Sequence, residues 1–316
     1  MLQYLVILLD DTAASYCHCN NPYKERHLIN IDDLKAGILF GMKENLMIQF
    51  VYPDYELPTE YSDVIESIDH SKIMPLSPNP SPEWEGSADV LIINKWEDLP
   101  KESEMPIVIR TCKTDFFVRY KEVVPLFANA PHVNVVFTDI ESFTDEDFET
   151  YKTILAELAK ELELLYLEDK TPQLNLLTDR MMLTQMNNCG AGDTTITLAP
   201  NGKFYVCPAF YYEDEKDCIG DLEYGVDIKN KQLYKLEYAP ICRHCDAWQC
   251  KRCIWLNRKL TLEVNTPSRE QCVMAHLERN ASRDLLLAIR KHGTFMPETE
   301  ITEIDYLDPF DKRKDW

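Results

Sequence analysis

The first 165 residues alternate between short apolar runs and longer stretches whose apolar positions recur at helical spacing. Leu2–Leu9 is almost continuously apolar and of the length of a strand buried on both faces. Asn30 then stands ahead of Ile31-Asp32-Asp33, a capping side chain followed by acids in a first turn. Leu34, Ile38, Leu39 and Met42 supply the apolar stripe of the helix this predicts. Leu46–Tyr52 predicts a second strand and Thr59–Ile68 a short helix. Val90–Ile93, Ile107–Ile109 and Val133–Phe137 predict further strands, with a helix over Thr114–Phe127. Thr144-Asp145-Glu146-Asp147 opens a long helix with Phe148, Tyr151, Ile154, Leu155, Leu158 and Leu162 on one face. Strands alternating with helices predict an α/β fold with a parallel sheet, open or curled into a barrel.

This rhythm stops after a connector over Tyr166–Met186 that has room for one more strand at Leu174–Leu177. From Asn187 to Pro240 short strands and turns take over, and six of the nine glycines lie from Gly190 onward. Pro267-Ser268 starts a last helix reaching about Lys291, and an acidic, aromatic tail follows from Glu298. The expected division is residues 1–186, 187–292 and a tail over 293–316. Ser77–Pro82, rich in Pro and Ser, reads as a surface loop.

Charge narrows the partners. Among 316 residues, 54 acids against 33 bases leave a net charge of −21. Nucleic acid and anionic membrane surfaces need the opposite sign, whereas a Lys/Arg-rich peptide would be attracted. Met1–Leu9 has no basic lead-in and runs into Asp10-Asp11, unlike a signal peptide, and no segment has the length of a membrane span. These features predict a cytoplasmic protein, whose thiols stay reduced rather than forming a disulfide framework.

The thiols are not scattered. Eight of the 11 cysteines fall between Cys189 and Cys272. Cys189 and Cys207 bracket Gly202, Cys218 stands alone, and Cys242-x-x-Cys245 is followed by Cys250-x-x-Cys253 and finally Cys272. Soft thiolates at such spacings hold iron–sulfur clusters or zinc. Zinc is the physical competitor, because sets of four cysteines built from CxxC knuckles also make structural zinc sites.

The order Cys-x12-Gly-x4-Cys, CxxC-x4-CxxC and Cys resembles the SPASM domain, the C-terminal extension of many radical SAM enzymes that modify peptides. Thr194 to Gly202, with Asn201-Gly202 as the turn of a hairpin, Cys207-Pro208 and Ile219-Gly220-Asp221-Leu222 carry the likeness further. The resemblance implies one or two auxiliary clusters, of 4Fe-4S type. Cys189, Cys207 and Cys253 would hold one, and Cys242, Cys245, Cys250 and Cys272 the other, with Cys218 available to complete the first. The family's middle run is usually CxxC-x5-C-x3-C, and here both later gaps are one residue shorter.

A radical SAM barrel would then precede this domain: a partial βα barrel followed by a small cysteine-rich α+β domain. That family places a CxxxCxxC loop after its first strand. Here the loop has only Cys17-His18-Cys19, and the second strand ends in Phe50 to Pro58 without a glycine. S-adenosylmethionine is therefore not expected as a cofactor. Leu8 to Thr12, Ser15 to His18 and the SPASM-like end together resemble a CXXX-repeat peptide maturase. This implies a cysteine-repeat precursor peptide as partner, and a second maturation protein as a further one.

Cys17 and Cys19 are the weak catalytic candidates, since thiols after a barrel strand sit where such folds build active sites. Cys112, Asp10, Asp11 and His244 have ordinary structural readings, and no phosphate loop, GxSxG elbow or HExxH is present. The chain reads as an iron–sulfur protein of peptide maturation, with a non-catalytic recognition subunit and a structural zinc protein as alternatives.

Overall fold

The computed structural model describes residues 1–76, 88–250, 252–303 and 306–309. The loop expected at Ser77–Pro82, and the tail beyond Pro309, lie outside the described residues. In chain order the elements are β1 (Tyr4–Leu8), α1 (Ile31–Lys43), β2 (Met47–Val51), α2 (Thr59–Ile65), β3 (Ser71–Pro75), β4 (Val90–Ile93), β5 (Ile107–Thr111), α3 (Lys113–Arg119), α4 (Leu126–Asn129), β6 (Val133–Phe137) and α5 (Asp145–Leu167). Then follow α6 (Asp179–Met182), β7 (Thr195–Leu198), β8 (Lys203–Tyr205), α7 (Pro208–Glu213), β9 (Gly220–Asp221), β10 (Gly225–Val226), α8 (Ile254–Thr261) and α9 (Arg269–Arg290).

The chain divides into two compact units, each built from two stretches. One takes Met1–Asn94 and Cys189–Ala239, the other Lys95–Asn188 and Pro240–Trp316. The boundary expected at residue 187 lies beside the second of the three crossings.

In the first unit the strands run in the order β10-β9-β8-β7-β1-β2-β3-β4. From β7 to β4 all neighbours are parallel; from β7 to β10 they are antiparallel. β1 is central, with Tyr4 opposite both Met47 and Thr195. Its near-continuous apolar run follows from burial on both faces. Asn201-Gly202 makes the expected hairpin turn, with Gly202 at a φ of +74°. What periodicity did not foretell is that this hairpin extends the parallel sheet through β7. β3 was not foreseen either, because Lys72 and Pro75 dilute a five-residue strand.

The α1 stripe needs correction. Leu34 and Ile38 are buried, but Leu39 and Met42 are exposed, and Gly37 and Gly41 complete the inner face. A Cβ on Gly37 would collide with Leu198, and one on Gly41 would stand 2.9 Å from Ile48 Cδ1. The face follows the i, i+3, i+4, i+7 rule, with glycines where the helix lies close to the sheet.

In the second unit β5 and β6 pair in parallel. The helix expected over Thr114–Phe127 is instead α3, a 3-10 turn (Tyr120–Val123) and α4, because Pro125 cannot continue a helix. Leu174 makes only an isolated bridge to Val133 rather than a strand. Thr144 and Asp147 form a capping box on α5, and Ser268 and Gln271 form another on α9. The two long helices are tied by Tyr151, whose hydroxyl donates to Glu278 at 2.7 Å. Among the described residues, no helix is long and apolar enough to cross a membrane.

Candidate functional site

In the second unit four of the candidate thiols come to one cavity. Cys242 begins a single 3-10 turn, and the Cys245 N–H donates to the Cys242 carbonyl at 3.1 Å, closing the first CxxC into a knuckle. Cys250 stands in the following loop, and Cys272 lies in the first turn of α9. Cys242, Cys245, Cys250 and Cys272 line a cavity of about 370 Å³ together with Ala275, His276 and Tyr306. His276 Nε2 lies 3.7 Å from Cys245 Sγ, and the Ala247 N–H points at the same sulfur at 3.4 Å. The His276 ring meets Tyr306 edge to face at 5.5 Å.

Burial pushes the Cys242 thiol up to about 11. It drives Cys245 up as well, and Cys272 further still, with Cys250, Cys242 and Cys245 adding to the effect on Cys272. Thiols that resist ionising in a dry pocket become thiolates when a cationic centre replaces their protons. Among the described residues, no group of three or more His, Cys, Asp or Glu is gathered tightly enough to hold a metal ion. One zinc with bonds of about 2.3 Å needs its sulfurs at a single tetrahedral point; a cluster of several atoms spreads them over a larger body.

The surroundings are cationic. Arg279 of α9 is 1% exposed and clamps Asp246 through Nε at 2.8 Å and Nη2 at 2.6 Å. Arg252 is also buried and acts on Cys242, opposing the rise that burial causes. A four-thiolate centre is anionic, so this donor set and its charge fit it.

The remaining candidates of the first unit sit after β1. Asp10 is buried; it accepts from Thr12 N–H at 2.8 Å and from the Tyr55 hydroxyl at 2.8 Å. Asp11 accepts from the Tyr211 hydroxyl and faces His27 Nδ1 at 3.2 Å. Burial drives the Tyr16 phenol well above its usual range, and the thiols of Cys17, Cys207 and Cys189 push it the same way. Each of these three cysteines thus lies within electrostatic reach of Tyr16. Cys19 turns into the core, 2% exposed, where Ser15 Oγ donates to its carbonyl at 2.6 Å. Cys218 is exposed. Cys253, expected beside Cys189 and Cys207, belongs to the second unit, where it stands at the N-cap of α8.

Cys112 stands at the N-cap of α3, its thiol raised by burial. His244 is solvent-exposed at the rim of the four-cysteine cavity, as its place inside the CxxC suggested. Sequence reasoning missed His276, Arg279 and Asp246. One signal was available: Cys272, His276 and Arg279 are spaced i, i+4, i+7, one face of a helix.

No family model and no curated protein matches the chain. Solved structures do. The chain is similar to a histidine-tagged anSMEcpe with bound AdoMet at 12% identity and a TM-score of 0.62, covering 92% of this chain and 99% of that one. It is similar to "Native anSMEcpe with bound AdoMet and Cp18Cys peptide" at 12% identity and a TM-score of 0.63, covering 92% and 100%. A form with Kp18Cys peptide matches at 11% identity and a TM-score of 0.60, covering 91% and 99%. These neighbours hold AdoMet, so they lend no support to the expectation that this chain does not take it. That expectation rests on Cys17–Cys19 and the glycine-free Phe50 to Pro58 alone. At these identities the likeness speaks for architecture alone: this chain shares the fold of those structures.

Proposed function

We propose that this chain takes part in the maturation of a cysteine-containing peptide and carries an iron–sulfur cluster on Cys242, Cys245, Cys250 and Cys272. The observation that carries the reading is the gathering of these four thiols around one cavity in a cationic setting. The fold shared with a peptide-bound neighbour supports the peptide part. The family-like order of the cysteines along the chain favours a cluster over zinc.

On this reading residues 1–186 supply the barrel-like scaffold and residues 187–292 the cysteine-rich part. Cys189 and Cys207, with Cys17 near them, are candidates for a second centre. The cluster, when bound, supplies electron transfer. The chain's own residues exclude water from it, hold its thiolates and balance their charge. The substrate is a cysteine-repeat precursor, as the resemblance of Leu8 to Thr12 and Ser15 to His18 implies, and the compartment is the reducing cytoplasm.

A recognition subunit without its own radical chemistry is the second reading. It is favoured by the loop after β1, which carries two thiols, Cys17 and Cys19, rather than three.

Anaerobic purification tests the metal. Iron and acid-labile sulfide are expected together and are lost in Cys272→Ala, because a cluster needs nearly all its ligands. Stoichiometric zinc without sulfide would overturn the cluster. Incubating the reduced protein with AdoMet separates the two functional readings: 5′-deoxyadenosine means a complete radical enzyme, and its absence leaves the recognition role.

A further inference from the structure

Beside the four-cysteine cavity stands more buried positive charge than the nearby carboxylate can neutralise. Arg180 of α6 is 3% exposed, and its guanidinium lies 4.1 Å from the centre of the Trp248 ring. Its nearest carboxylate is Asp246, at 3.7 Å, already clamped by Arg279 at 2.6 Å. Nε and Nη1 of Arg180 are buried without a hydrogen-bond partner among the described residues. Among the described residues, these two buried guanidiniums thus share one salt-bridged carboxylate. Asp308, the other buried acid near Cys272, is matched by Arg269 at 3.0 Å.

A cation–π contact stabilises a guanidinium by less than an unpaired buried charge costs. The missing counter-charge therefore lies elsewhere. Asp246 follows Cys245 in sequence, and Arg279 lies one turn along α9 from His276, which touches Cys245 at 3.7 Å.

We propose that Arg180 and Arg279 form a buried cationic seat that balances the four-thiolate centre and raises its reduction potential. The inference rests on the cluster reading above. Reduction adds one electron, taken from a low-potential one-electron donor that is itself oxidised, and so adds one negative charge beside the seat. A fixed cation there stabilises the reduced form more than the oxidised form.

The test is redox titration of the anaerobically prepared full chain with dithionite, followed by the cluster's reduced-state electron paramagnetic resonance signal. Iron and sulfide are counted in every sample. In Arg180→Met the ratio of reduced to oxidised cluster at a fixed potential is expected to fall about tenfold, a shift of about 59 mV for one electron. Arg180→Lys, which keeps the charge, is expected to retain most of the wild-type ratio. Asp246→Asn removes the shared carboxylate and is expected to move the ratio the opposite way. Should Arg180→Met not fold, Asp246→Asn decides by itself.

A full cluster complement with an unmoved potential in these variants overturns the seat while leaving the cluster standing. A wild-type chain without sulfide overturns both.

Discussion

Asp11 shows how single residues near the end of β1 are held. Its carboxylate is 9% exposed, beneath the Tyr211 hydroxyl and beside His27. Burial raises its pKa, Tyr211 and His27 lower it, and the net shift is upward from 3.8. A carboxylate raised in the folded state contributes stability that is present below 3.8 and is lost as pH rises through its folded pKa. Tyr211 limits that loss by donating to the charged form. Tyr211→Phe is therefore expected to cost about 1.5–3 kcal/mol once Asp11 is ionised, the range of a hydrogen bond to a charged group. The cost should shrink in acid. Urea unfolding of both proteins below pH 3.8 and at neutral pH checks this; an equal gap at both would mean that Tyr211 does not serve the carboxylate.

At the scale of elements, α1 is decided by its glycines. Alanine usually favours a helix by about 1 kcal/mol over glycine. Here a methyl on Gly37 meets the buried Leu198 side chain. Gly37→Ala is expected to lower stability by about 1–3 kcal/mol, as overpacking does. Leu39→Ala, at a position 54% exposed, is expected to stay within about 0.5 kcal/mol. Denaturant midpoints compare the two; a larger loss at Leu39 would restore the face that hydrophobicity alone suggests. The same lesson holds at Pro125, where one residue divides what the apolar spacing presents as a single helix.

For the whole molecule, both compact units need the chain beyond residue 188. β1 has β7 as one neighbour, and α5 is tied to α9 through Tyr151 and Glu278. A chain ending at residue 188 would expose the edge of β1 and the apolar face of α5, and open edges and faces aggregate. Such a truncation is expected to be insoluble or to bind a hydrophobic dye strongly. A soluble, cooperatively unfolding fragment would show that the first 188 residues stand alone. The net charge of −21 acts on this scale too: binding of a basic peptide should weaken steadily as salt screens it.

Much of the fold was legible along the chain. Apolar runs and caps marked β1, β2, α5 and α9, because buried strands and capped helices impose local patterns. The resemblance to the SPASM domain grouped Cys242, Cys245, Cys250 and Cys272 as one set before any geometry was known. Tertiary structure alone decided the rest. β7 pairs with β1, Tyr4 opposite Thr195, and no local pattern encodes a partner at that distance. Nothing along the chain singled out Arg180 and Arg279; folding buries both beside a shared Asp246. Charge in a sequence is a count, and only folding sets which charges lie in low dielectric and which neighbours remain to answer them.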